Sequence, residues 1–82
     1  MKKVVLLDPA VAAMRKHRNM AGRIAAKLAA YAEHPASIAN QVTELRGLPV
    51  KRLRVGDFRI LFEETETEII VSDIGPRGSI YR

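Results

Sequence analysis

Residues 51–62 read KRLRVGDFRILF, a run in which apolar and charged side chains alternate on both sides of Gly56-Asp57. A glycine-aspartate pair between two alternating segments is typical of a tight β-hairpin, because glycine readily adopts the positive φ that such a turn requires. A two-residue turn would place Val55 opposite Phe58 and continue the pairing outward from there. The run therefore predicts a hairpin on which the rest of the chain must pack.

The predicted hairpin has two chemically different faces, because side chains alternate along each strand. One face is apolar and needs a cover; its residues are Leu53, Val55, Phe58, Ile60 and Phe62. The other face carries Arg52, Arg54 and Arg59, with Arg54 directly opposite Arg59. A charged strand face is often simply solvated, but opposed like charges are unfavourable and the planar guanidinium suits phosphate and carboxylate. Since no acidic neighbour neutralises these arginines, the pattern favours an anionic partner.

Length and composition narrow the class of protein. With 82 residues, the chain is predicted to form a single domain over residues 1–82. It has no cysteine, which excludes disulfides, thiolate nucleophiles and cysteine-zinc sites and fits a reducing cytoplasm. A formal net charge of +5 and a pI near 10.1 point to anionic partners such as nucleic acid or an acidic protein segment. The N-terminal apolar run is too short for a signal core or a membrane span, so we expect a soluble cytoplasmic protein with no membrane partner.

Two elements are predicted at the start of the chain. Residues 4–7 are continuously apolar and should form a short strand. Asp8 and Pro9 then favour a helix start, because the carboxylate can cap free N–H groups and proline fits the first helical position. This first helix should extend to about His17, where a basic segment interrupts the pattern.

A second helix is predicted from Met20 to His34, where the following proline disfavours helical backbone. Its apolar stripe has the spacing of a helix and consists of Met20, Ile24, Leu28 and Tyr31. We expect this stripe to cover the apolar hairpin face, and Arg23 and Lys27 on the outer side to be solvated. A short helical turn is expected around residues 38–42, with Asn40 and Gln41 directed outward.

The C-terminal part predicts one more strand. Residues 63–68 read EETETE, which we interpret as a solvated acidic turn rather than a metal site. Residues 69–74 are nearly continuously apolar, as expected for the middle of a small sheet. The predicted fold class is therefore α+β, with two N-terminal helices packed on one face of a small twisted antiparallel β-sheet and the other face open.

The sequence contains no nucleophile elbow, phosphate loop, zinc pattern or carboxylate pair. His17 and His34 fall at helix ends, where a surface role is ordinary. The groups that converge are Arg52, Arg54, Arg59, Arg77 and Tyr81. They suit phosphodiester cleavage, because guanidinium groups stabilise charge on phosphate oxygens in the transition state and a phenol can orient or stack on a nucleotide. A guanidinium is a poor proton acceptor, so the general base is left open.

Three runs together resemble the RelE/ParE superfamily of bacterial toxin-antitoxin toxins: LRG at 45–47, RLRVGDFRILFE at 52–63 and IGPRGSIYR at 74–82. The resemblance covers nearly the whole chain and implies the same α+β fold. It also implies the toxin of a type II system, an endonuclease that cuts messenger RNA on the ribosome without a metal or other cofactor. Its implied partners are a cognate antitoxin, the ribosome and its message, with operator DNA contacted only through the antitoxin complex.

The resemblance also implies catalytic roles. Arg59 matches the arginine that holds the scissile phosphate, and Arg77 matches the arginine associated with the leaving group. Tyr81 matches the tyrosine that stacks on or orients the nucleotide. Arg52 occupies the place of a catalytic lysine.

Arg46, Lys51 and Arg54 complete the implied RNA-binding set. The chain departs from the family at Val50, where relatives have a second lysine, and Lys51 should point to the apolar side unless a bulge turns it. Two other functions stay open. ParE-type relatives inhibit DNA gyrase, although the ending with an arginine and a tyrosine favours the nuclease. The chain could also act mainly as an antitoxin-binding co-repressor.

Overall fold

A computed structural model describes residues 1–45 and 47–76. The strands and α-helices are β1 (Lys3–Leu6), α1 (Asp8–Lys16), α2 (Arg18–Glu33), β2 (Val42–Glu44), β3 (Lys51–Val55), β4 (Phe58–Glu64) and β5 (Glu68–Pro76), with a 3-10 helix (Pro35–Gln41) between α2 and β2. The strands form one five-stranded sheet in the order β1-β5-β4-β3-β2. All neighbours are antiparallel except β1, which runs parallel to β5. The predicted α+β class is confirmed, with one parallel pair at the edge of the sheet.

The hairpin forms in the predicted register. Its paired residues are Val55–Phe58, Arg54–Arg59, Leu53–Ile60, Arg52–Leu61 and Lys51–Phe62. Gly56 has a φ of +57°, a backbone conformation that residues other than glycine rarely adopt. A Cβ atom at Gly56 would lie 3.3 Å from Nη2 of Arg23, the end of an exposed side chain that can shift, so it is the backbone conformation that calls for glycine here.

The apolar hairpin face is covered by α2, as the sequence predicts. The fully buried side chains of this core include Ile24, Leu53, Val55, Ile60, Phe62, Ile69 and Val71. The rings of Tyr31 and Phe62 meet edge to face with their centroids 5.3 Å apart. The apolar stripe of α2 packs on β3 and β4, and α1 packs on β5, so both helices are held on one side of the sheet.

Strand β5 occupies an interior position of the sheet, between β1 and β4. Its register with β4 shifts between Leu61 and Phe62, so that Ser72 is the extra residue of a β-bulge. The Ser72 hydroxyl donates a hydrogen bond to the Leu61 carbonyl over 3.2 Å. The bulge keeps Ile69, Val71 and Ile74 on the buried side along the length of the strand.

Several local predictions differ from the structure. Asp8 does not cap α1; Leu7 occupies the N-cap position, without a side-chain cap hydrogen bond. Helix α2 begins at Arg18 rather than at Met20, because the basic segment only kinks the chain at His17 and does not form a loop. Strand β2 was not predicted, since three residues are too few for a period to show.

The acidic turn is shorter than predicted, because β4 continues to Glu64 and β5 begins at Glu68. Glu64 is not solvated. Its carboxylate accepts hydrogen bonds from Lys2 Nζ at 2.7 Å, Tyr31 hydroxyl at 2.6 Å and Lys51 Nζ at 2.9 Å. These contacts connect the N-terminus, α2, β3 and β4 on the helical side of the sheet.

Candidate nucleic-acid interface

Three arginines of the hairpin lie together on the sheet face that the helices leave open, and we call them the arginine face: Arg52, Arg54 and Arg59. The strand register pairs Arg54 directly with Arg59. Arg52 lies two residues before Arg54 on β3 and therefore on the same face of the sheet. Arg54 is exposed, whereas Arg52 and Arg59 are half-buried. Strand alternation therefore brings these three predicted site residues together.

The arginine face surrounds a small cavity of about 90 Å³, whose other lining residues are Asn40, Gln41 and Thr43. A cavity needs about 10–15 Å³ to hold one water molecule, so this one has room for a small group such as one phosphate. Thr43 is opposite Arg52 in the β2–β3 register. The cavity thus combines guanidinium donors with hydroxyl and amide groups.

The contribution of Asn40, Gln41 and Thr43 was not recognised from the sequence. The sequence predicts that both amides point outward, but it offers no sign that β2 would pair with β3 beside the arginines. Only tertiary structure brings these residues to the cavity. The 3-10 helix leads directly into β2, which pairs with β3, so the helix ends against the arginine face. A polar pair directly before an edge strand is too common a feature to identify a site.

Two of the three arginines of the arginine face have no acidic side chain of the described chain beside them to neutralise their charge. Among residues 1–45 and 47–76, neither Arg54 nor Arg59 takes part in an ion pair. Arg59 Nη1 donates to the Phe58 carbonyl over 3.2 Å, which restricts its guanidinium near its own strand. Opposed like charges on neighbouring strands cost stability, and a bound anion would relieve that cost.

Lys51 is separated from the arginine face. Its Nζ is bonded to Glu64 on the helical side of the sheet, and the one bulge among the described strand pairings lies on β5, so nothing turns Lys51 outward. The hydrogen bond to Glu64 raises the pKa of Lys51, with burial acting in the opposite direction. A lysine held protonated in this way is unsuited to act as a general base.

The pKa of Glu64 reflects opposing effects. Burial alone would raise it, but the hydrogen bonds from Lys2, Tyr31 and Lys51 lower it from 4.5 to about 2. The pKa of Tyr31 is raised, first by burial and then by its hydrogen bond to Glu64. Glu64 therefore stays ionised, and this cluster holds the fold together rather than supplying a proton acceptor.

Three predicted site residues, Arg46, Arg77 and Tyr81, lie outside the described residues. Their assigned roles stay predictions. His17 and His34 flank α2 at its two ends, and His17 packs against the Phe58 ring at 4.8 Å between centroids. The described histidine and carboxylate side chains include no group of three or more that could hold a metal ion. No helix in the described part of the chain has the length and apolar character needed to cross a membrane.

The fold was compared with those of known proteins. No family model and no curated protein matches this sequence. The chain is similar to a solved archaeal RelE-RelB complex from Pyrococcus horikoshii, with a TM-score of 0.77 and 20% identity over 95% of this chain and 97% of that one. It is also similar to the toxin-antitoxin complex RelBE2 from Mycobacterium tuberculosis, with a TM-score of 0.60 and 18% identity over 93% and 98% of the two chains. The chain has the RelE fold, as the sequence resemblance implied.

Proposed function

We propose that this protein is the toxin of a type II toxin-antitoxin system and that it cleaves messenger RNA on the ribosome. The observation that carries the proposal is the position of the arginine face. Its guanidinium groups border a phosphate-sized cavity on the side of the sheet that the helices leave open. The RelE fold supports the toxin part of the proposal, because both similar structures are complexes described by their names as RelE-RelB or toxin-antitoxin assemblies.

The reaction would be an internal transesterification. The ribose 2′-oxygen bonds to the neighbouring phosphorus while the bond from phosphorus to the 5′-oxygen breaks, leaving a 2′,3′-cyclic phosphate and a 5′-hydroxyl. Negative charge accumulates on the non-bridging oxygens, and Arg59, with Arg54 opposite it, is placed to stabilise this charge. Arg52 contributes a third guanidinium from the same strand as Arg54. The proton of the 2′-hydroxyl needs an acceptor other than a guanidinium.

Arg77 and Tyr81 complete the proposed site on the strength of the sequence resemblance. In this role Arg77 stabilises the charge that develops on the departing 5′-oxygen. Tyr81 holds the nucleotide by stacking, or accepts and delivers a proton through its hydroxyl. Arg46 extends the surface that contacts the message, whereas Lys51 is left out of it because of its bond to Glu64.

The substitution Tyr81→Phe separates the two roles of the tyrosine. A phenylalanine keeps the stacking ring and removes the hydroxyl, so stacking alone predicts cleavage within a few-fold of the original rate. Proton transfer by the hydroxyl predicts a loss of about 100-fold or more, which is the usual contribution of a positioned acid or base. Single-turnover cleavage on message-programmed ribosomes distinguishes these results, and Tyr81→Ala should be impaired in both cases.

The proposed partners follow from the same function. A cognate antitoxin would neutralise the toxin by covering the arginine face, and acidic side chains are the natural complement of its charge. Operator DNA would be reached only through the antitoxin complex. The site of action is the ribosome, which places the protein in the cytoplasm.

The function is tested by inducing the chain alone in bacterial cells and mapping the 5′ ends of messages against ribosome positions. New ends in phase with codons are the expected result. A parallel assay measures DNA cleavage by gyrase in the presence of the purified chain. Intact messages together with stabilised gyrase–DNA cleavage would overturn the proposal and favour gyrase inhibition, and intact messages without any gyrase effect would favour an antitoxin-binding co-repressor.

A further inference from the structure

The cavity at the arginine face is lined by hydrogen-bond donors on one side and by acceptors on the other. A guanidinium donates hydrogen bonds and accepts none, so the three arginines of β3 and β4 offer only donors. The amides and the hydroxyl on the β2 side can accept, and we call these three residues the acceptor edge: Asn40, Gln41 and Thr43. No acidic side chain is among the described residues that line the cavity. Its side-chain acceptors therefore belong to the acceptor edge.

The acceptor edge is fixed in position by backbone and core contacts on both sides. Ile38 of the 3-10 helix is buried in the core. The Val42 N–H donates to the Ala39 carbonyl and closes the turn that contains the two amides. Val42 then pairs with Leu53 of β3, which sets the register of the hydroxyl beside the arginines. A polar group on an element held in this way needs little reordering to bind a ligand.

The side chains of the acceptor edge have no hydrogen-bond partner within residues 1–45 and 47–76. Gln41 is half-buried, whereas Asn40 and Thr43 are exposed. A polar group that is partly removed from water and has no hydrogen bond costs stability. Gln41 therefore gains more from a bound hydrogen-bond donor than its two exposed neighbours do.

Donors and acceptors side by side suit a phosphate with a hydroxyl next to it. In RNA, the ribose 2′-hydroxyl lies beside the phosphate that follows it, and this hydroxyl both donates and accepts hydrogen bonds. When the phosphate lies against the arginines, the hydroxyl needs an acceptor for its hydrogen, which a guanidinium cannot supply. DNA lacks this hydroxyl and would leave the acceptor edge without a partner.

We propose that the acceptor edge binds the 2′-hydroxyl of the ribose whose phosphate lies against the arginine face, with Gln41 as the principal acceptor. The Gln41 amide oxygen accepts the hydroxyl hydrogen, which leaves the lone pairs of the 2′-oxygen free to face phosphorus and distinguishes RNA from DNA at this position. Gln41 orients the hydroxyl and does not take its proton, because an amide is too weak a base. That the ribose belongs to a message on the ribosome rests on the proposed function.

The test uses two dinucleotides that differ by one oxygen atom. UpU has one phosphate and the 2′-hydroxyl beside it, and dUpU lacks only that hydroxyl. Binding is followed by 15N NMR, since the sequence contains three side-chain amides, those of Asn19, Asn40 and Gln41. Asn19 lies on α2 and serves as the internal control. The proposed cleavage needs the ribosome, so the dinucleotides should stay intact and the titration measures binding.

We expect UpU to bind about three- to tenfold more tightly than dUpU, which is the usual effect of one hydrogen bond. The Gln41 amide signals should shift more with UpU than with dUpU, and the Asn19 signals should not distinguish the two. Gln41→Leu should lower the affinity for UpU to that for dUpU and leave dUpU binding within about twofold. Asn19→Ala is the matched control and should keep the original preference.

Two further variants separate the hydroxyl contact from the phosphate contact. Gln41→Glu keeps an acceptor and adds a negative charge, so it should weaken binding of both dinucleotides and keep the preference for UpU. Arg59→Ala should weaken both by the same factor, because it removes a contact to the phosphate that they share. Thermal melting of each variant checks that the fold is retained.

Equal affinity of the original chain for UpU and dUpU would overturn the proposal, as would Gln41 signals that do not move when UpU is added. A preference for UpU that survives Gln41→Leu in a folded chain would overturn it as well. If Gln41→Leu does not fold, the original chain and Gln41→Glu decide the question. A preference that depends on Gln41, in a chain that leaves messages intact, would uphold the acceptor edge and reject the nuclease. Equal affinities together with cut messages would reject the acceptor edge alone.

Discussion

Replacing Arg59 with alanine is expected to slow cleavage of ribosome-bound message by about 100- to 1000-fold and to abolish growth arrest in cells. The reason is the position of its guanidinium, half-buried beside the cavity and opposite Arg54, where charge would develop on the phosphate oxygens. Removing one preorganised donor of this kind costs about 2.7–4 kcal/mol of transition-state stabilisation. Cleavage on ribosomes programmed with one defined message measures the rate directly.

The fold is not expected to suffer from Arg59→Ala, because the substitution removes the repulsion from Arg54 across the hairpin. The melting temperature should therefore stay the same or rise, which separates lost chemistry from lost structure. Lys27→Ala is the matched control, since it also removes one cation, but from the helical side of the sheet. Cleavage that survives Arg59→Ala at the original rate would reject the arginine face as the reaction site.

The second large effect concerns stability. Glu64→Gln should lower the free energy of unfolding at neutral pH by about 2 kcal/mol, because it leaves Lys2 and Lys51 without their shared counter-charge. The figure is smaller than for a fully buried ion pair, since the Lys2 and Lys51 side chains keep 27% and 31% of their exposure. Urea unfolding measures this difference, with Glu66→Gln as the control in the exposed turn.

The same carboxylate makes stability depend on pH. The pKa of Glu64 is about 2 in the folded chain, against 4.5 for an unperturbed glutamate, so its contribution is fully present above pH 4.5 and is lost as the pH falls toward 2. Stability of the original chain should fall across this window, and Glu64→Gln should lack this part of the decrease. If Glu64→Gln and Glu66→Gln lower the free energy of unfolding equally at neutral pH, the hydrogen-bonded cluster around Glu64 contributes nothing to stability.

The strongest local patterns predicted the fold correctly. Alternation around Gly56 set the register of the hairpin pair by pair, and the apolar stripe of α2 identified its cover. These patterns repeat over several turns or strand positions, so few alternatives bury the same side chains. Residues 69–74 were recognised as an interior strand for the same reason.

The elements that were missed depend on partners far away in sequence. Strand β2 forms because its residues pair with β3, as Val42 does with Leu53, and the three-residue sequence of β2 does not predict this pairing. Glu64 belongs to a glutamate-rich run that reads as solvated, yet it is drawn inward by Lys2 and Tyr31. In both cases, tertiary contacts override a local pattern that points elsewhere.

The candidate site divides in the same way. Strand alternation was enough to place Arg52, Arg54 and Arg59 on one face. The amides and hydroxyl that complete the cavity depend on β2 and were missed, and Lys51 was included although the same alternation directs it to the helical side.

The account is tested most directly by the ends of the RNA that the purified chain makes from a ribosome-bound message. Attack by the 2′-oxygen on the phosphate held at the arginine face predicts an upstream fragment that ends in a 2′,3′-cyclic phosphate and a downstream fragment with a 5′-hydroxyl. Arg59→Ala should yield neither fragment in the same time. Fragments with a 5′-phosphate, or a message that stays intact while the original chain occupies the ribosome, would contradict the account.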